Sequence, residues 1–205
     1  PSLPPDLGDD IDGVDTMVPF AFGFFFSLEG VLIDPLTGLP GSGSAVANGF
    51  VGGDVLWSNG FGGPPVLFAP AVMLGLDMTQ PGEDDLDALI VNSNELGGIY
   101  DPSQDPFDWI DFSTDMLLFS VRRGSAIIGT PDFFFGQPIE EGDILYPIPG
   151  GPPGIFYAAE NLGLVTARNF PVNHGDDLDA LDIADFPTMD CDFNGLEDGW
   201  EIAFL

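Results

Sequence analysis

Asp84-Asp85-Leu86-Asp87-Ala88-Leu89 decides how this chain is read, because it recurs. Asp9-Asp10-Ile11-Asp12-Gly13-Val14 stands before it and Asp176-Asp177-Leu178-Asp179-Ala180-Leu181 after it. Other markers return between the copies in the same order. Phe25-Phe26-Ser27-Leu28 answers to Leu118-Phe119-Ser120-Val121, and Gly53-Asp54-Val55-Leu56 to Gly142-Asp143-Ile144-Leu145. Leu74-Gly75-Leu76 answers to Leu162-Gly163-Leu164. Self-similarity at a period of about 90 residues marks a duplicated unit and outranks local readings. The Asp motif occurs three times and the other markers twice. The chain is therefore two units plus one surplus copy of a first strand.

The 28 Gly and 20 Pro are too dense for long helices. Short apolar or alternating runs at 116–122, 143–146, 154–158 and 178–183 are bounded by Gly, Pro and Asp. That pattern predicts about four short antiparallel strands per unit. The fold class expected is all-β, with two four-stranded units packed face to face as a sandwich and Phe and Leu between the sheets. Propeller-like blades are the alternative. The second copy carries an insertion at 93–111, rich in Pro, Asp and aromatics, which reads as a surface loop. The segments expected are an N-terminal arm with the surplus first strand over 1–17, β units over 18–92 and 93–189, and a calcium-binding loop over 190–205.

Charge narrows the function. The 34 acidic and 3 basic residues give a net charge of −31, and the basic residues are Arg122, Arg123 and Arg168. Nothing in such a chain can neutralise a nucleic-acid backbone or settle on an anionic membrane. The 44% hydrophobic content, with 19 Phe, separates it from disordered acidic chains. Its apolar runs at 18–26 and 66–76 are broken by Pro and far shorter than the roughly 20 residues of a membrane span. Bound cations are the expected remedy for carboxylates crowded on one surface. In the Asp motifs, alternation along a strand puts Asp85 and Asp87 on one face, and Asp177 and Asp179 likewise. These four are candidate metal ligands. Asp54 and Asp143 read first as turn caps.

The most specific signal is Asp190-Cys191-Asp192-Phe193-Asn194-Gly195-Leu196-Glu197-Asp198-Gly199-Trp200-Glu201. It fits a twelve-residue calcium loop at every ligand position. Asp190, Asp192 and Asn194 hold positions 1, 3 and 5, and Gly195 makes the sharp turn at 6. Leu196 offers its carbonyl at 7, Asp198 serves at 9, and Glu201 supplies two oxygens at 12. Pro187 precludes a regular entering helix. The segment resembles the loops of dockerins, of thrombospondin type-three repeats and of secreted bacterial repeat proteins. The resemblance covers 190–203 closely and the long units only loosely. It implies a secreted, calcium-stabilised, non-catalytic module. Dockerins carry the loop twice and this chain once, and related repeats place a second Cys where Trp200 stands.

Catalytic groups are sparse. His174 is the lone histidine and lies in a loop. Cys191 has no basic neighbour to activate it. Trp57, Trp109 and Trp200 read as core or loop anchors before sugar platforms. The expectation is therefore an extracellular or cell-surface structural protein, not an enzyme. Its cofactor is Ca2+ and its partner is itself, joined head to tail into filaments or a surface layer. A carbohydrate-binding or adhesive module with a cell-surface glycan partner is the alternative, and a metal-dependent hydrolase ranks third.

Overall fold

Gly and Pro cut the apolar runs into strands of three to seven residues. The computed structural model describes residues 11–16, 23–29, 43–93, 98–102 and 114–181. Sheet one comprises β1 (Ile11–Thr16), β2 (Phe24–Leu28), β3 (Val55–Ser58) and β4 (Val66–Ala69). A six-residue helix α1 (Gly43–Asn48) lies between β2 and β3. Sheet two comprises β5 (Leu86–Asn92), β6 (Met116–Val121), β7 (Ile144–Tyr146) and β8 (Gly154–Tyr157). Each is an antiparallel meander with its strands in chain order. The protein is all-β, as its composition requires. Among the described residues no helix is long and apolar enough to cross a membrane.

The sheets repeat one another down to their irregularities. The register slips between Ile11 and Val14 in the first strand pair of sheet one, and between Leu86 and Ala88 in that of sheet two. It slips again after Val55 in the last pair of sheet one and after Ile144 in that of sheet two. Asp54 accepts hydrogen bonds from the backbone N–H of Val51 at 3.0 Å and of Ala71 at 2.9 Å. Asp143 accepts from Glu140 and Ala159, each at 2.9 Å. Both acids thus cap turns. Gly75 and Gly163 stand at φ 80° and 84°, a conformation glycine adopts without steric cost.

One hydrophobic core joins the sheets. Phe25, Val55 and Phe68 of sheet one pack with Leu86, Leu89, Leu117, Phe119, Val121 and Leu145 of sheet two, and β1 lies along β5. The faces that meet are not counterparts. Cross-strand partners share a face, so register matches Phe26, Leu28 and Leu56 to Phe119, Val121 and Leu145. In sheet two these residues face sheet one. In sheet one they face away and form a second cluster with Ala45 of α1 and Phe50. Conversely Leu118 and Ile144, the counterparts of Phe25 and Val55, lie on the outer side of sheet two with Met116 and Tyr146. The sheets stack front to back.

Each sheet opens at its Asp motif, so β1 belongs to sheet one and β5 to sheet two. The segment bounds at 18 and 93 each fall one strand later than the sheets do. Among the described residues the copy that forms no strand is the third. A strand was expected over 178–183, but residues 178–181 take no strand pairing. Strands β1 and β5 each gain a partner from the Phe-Ser segment that follows, and the sequence holds no third such segment.

The shared core makes the two sheets one cooperative unit. Urea unfolding is expected to show a single transition. Phe119→Ala should cost about 3–5 kcal/mol through the cavity it leaves in that core. Val14→Ala, on the solvent side of sheet one, should cost less than about 0.5 kcal/mol.

Candidate metal centre

The second and third Asp motifs meet at the outer side of sheet two. Asp87 is carried by β5. The third motif is fastened beside it by bonds that its sequence supplies. Asp176 accepts from the backbone N–H of Val165 at 2.8 Å, and its own N–H donates to the Val165 carbonyl at 2.7 Å. Ser120 Oγ of β6 donates to the Leu178 carbonyl at 2.7 Å, and Arg123 donates to the Gly175 carbonyl at 2.9 Å. So held, Asp87, Asp177 and Asp179 each offer a carboxylate oxygen, all within 4.8 Å of one another.

Three carboxylates that close repel unless a proton or a cation joins them. Burial, then the charges of Asp177 and Asp179, push Asp87 up to about 7, and a hydrogen bond with Asp177 adds to the rise. Asp177 is also raised, first by burial and then by Asp179 and Glu141, with Arg123 opposing. Asp177 Oδ1 is buried with no hydrogen-bond partner, while its Oδ2 lies 3.7 Å from Arg123. Hard oxygen donors converging from two segments, one of them with an orphaned buried oxygen, fit a calcium ion. Calcium takes six to eight oxygens, and carbonyls or water would complete the shell.

The junction one unit earlier shows how the same acids are otherwise neutralised. There the counterparts of Asp177 and Asp87 are Asp85 and Asp12. Arg122, immediately after β6, reaches Glu29 at 2.6 Å and Asp85 at 3.6 Å, and the charge of Asp12 also bears on it. Among the described residues no such arginine stands over the third motif; Arg123 is 3.7 Å from Asp177.

Of the four Asp-motif candidates, the structure thus gathers Asp87, Asp177 and Asp179. Asp85 is instead fully buried beside Arg122 and against Gly52, where any side chain would strike its carboxylate. The loop ligands Asp190, Asp192, Asn194, Leu196, Asp198 and Glu201 lie outside the described residues, as do Cys191, Trp109 and Trp200. Trp57 packs against the shared core. His174 is largely exposed, 3.6 Å from Glu141, on a cavity of about 310 Å³ that Glu140 and Glu141 also line. Those two buried acids escaped the sequence reading. Their signal was the duplication itself, since Val51-Gly52 occupies the same place in the first unit. No protein-family model, curated protein or solved structure matches this chain.

The shifts fix a pH dependence for the metal-free protein. Asp87 holds its proton more tightly folded than unfolded, so stability falls as pH rises from about 4 to 7. Glu160 acts in the opposite sense. Its hydrogen bond to Arg168 holds it down at about 2, so its contribution is full above 4.5 and is lost as pH falls from 4.5 to about 2. Melting temperature in chelator should therefore peak near about pH 4.5. Asp87→Asn should flatten the fall on the alkaline side, as read by thermal melts across pH.

Proposed function

We propose that this protein is an extracellular, calcium-stabilised structural protein of a cell surface, which works by self-association rather than catalysis. The observation that carries the reading is the convergence of Asp87, Asp177 and Asp179 in a chain of net charge −31 with three arginines. Calcium there would neutralise the three carboxylates and tie the third motif to β5. The loop over 190–201 would hold a second ion with its own donors, and its likeness to the loops of dockerins and secreted repeat proteins supports secretion. The single Cys191 suits an extracellular chain stiffened by ions instead of disulfides. The glycan-binding alternative draws less support, since Trp57, the one tryptophan among the described residues, is committed to core packing.

Calcium titration of the chelator-stripped chain, by calorimetry and elemental analysis, tests this. Two classes of site are expected, with Asp179→Asn removing one and Glu201→Ala the other. Each site should contribute about 2.7 kcal/mol of stabilisation when calcium is one hundred times its dissociation constant. A chain that binds no ion at millimolar calcium, and melts identically with and without chelator, would overturn the reading.

A further inference from the structure

Sheet one shows to solvent a face that its counterpart in sheet two buries. Register places Ile11, Val14, Phe24 and Leu67 on the side of sheet one turned away from sheet two. Their counterparts in sheet two are Leu86, Leu89, Leu117 and Ile155. Those four are 0, 1, 0 and 8% exposed and belong to the shared core. Ile11, Val14, Phe24 and Leu67 are 54, 58, 43 and 39% exposed. α1 covers Leu28 and Leu56 on the same face and leaves these four open.

The chain itself shows what fits such a face. In sheet two it is closed by a β-sheet face of this protein. Two sheet faces lie outside the shared core. That of sheet two is already closed, with Met116, Leu118 and Tyr146 buried and the Leu178 carbonyl tied to Ser120. Head-to-tail stacking would need that face open, so the exposed face of sheet one is left to meet its own copy. A self-complementary patch of this kind forms a closed pair. Charge agrees. No charged residue occupies the described strand positions on this face, whereas the chain as a whole carries −31. Like-charged copies can approach where carboxylates are absent.

We propose that two copies of this chain associate back to back through Ile11, Val14, Phe24 and Leu67 about a two-fold axis. This dimer is the form taken by the self-association proposed above, on which this inference rests.

Sedimentation velocity on the full chain in calcium, across a concentration series, tests it. The expected species is a dimer. Val14→Glu, and separately Phe24→Ser, should raise its dissociation constant roughly 30-fold or more while leaving the monomer's circular dichroism and melting temperature unchanged. In a Cys191→Ser background, Val14→Cys should be joined to a second copy by a short thiol cross-linker. Multimers larger than two that still depend on Val14 overturn the two-fold arrangement. Assembly indifferent to both substitutions overturns this face alone. A monomer at every concentration overturns the face together with self-association, leaving the calcium titration to judge the rest.

Discussion

Hydrogen bonds from backbone N–H groups to buried carboxylates are what the rest of this structure depends on. Strands this short require a turn every few residues, and turns leave N–H groups without ladder partners. Asp side chains accept them. Asp77 accepts from Gly82, Glu83 and Asp84 at 2.7 to 2.9 Å, and Asp132 from Phe134, Phe135 and Gln137 at 2.7 to 3.2 Å. Ten carboxylates are buried among the described residues, far more than three arginines could neutralise. Backbone amides make up much of the difference. Burial still raises Asp54 and Asp84 above the ordinary carboxylate range, against two backbone hydrogen bonds each. The acidity of the chain is thus partly structural, built into the turns.

Where amides do not suffice, the few arginines stand at junctions. Glu29 and Arg122 follow β2 and β6 at equivalent positions of the two units, and they meet at 2.6 Å. Equivalent positions of the two units thus carry opposite charges, a complementary pair that ties sheet one to sheet two. Arg168 does similar service within the second unit, bridging Asp143 and Glu160. Its counterpart acid in the first unit, Asp54, relies on backbone N–H groups. At the third motif the carboxylates of Asp87, Asp177 and Asp179 crowd together.

Front-to-back stacking gives the two ends of the molecule different fates. The operator relating sheet one to sheet two could be repeated, because it joins unlike faces. At the C-terminal end the third motif and the cluster around Leu118 and Tyr146 interrupt that repetition. On the outer side of sheet one, among the described residues, a short helix packs on Leu28 and Leu56. Among the described residues the stacked sheets therefore present one closed and one open face.

The sequence alone determined the duplication, the all-β class and the short strands, because marker order and Gly/Pro punctuation are properties of the chain read in line. It also marked Asp54 and Asp143 as turn caps, and Asp85, Asp87, Asp177 and Asp179 of the Asp motifs as one recurring device. Only the tertiary structure decided which Asp faces what. Alternation put Asp85 with Asp87, but Asp85 went to Arg122 while Asp87 met residues 90 positions away, since a register slip at Leu86–Ala88 lies between them. Nor could the sequence tell which copy of the motif was surplus, or that unlike faces would meet. Those outcomes rest on pairing partners and on the direction of stacking, and local pattern is the same in every copy of a repeat.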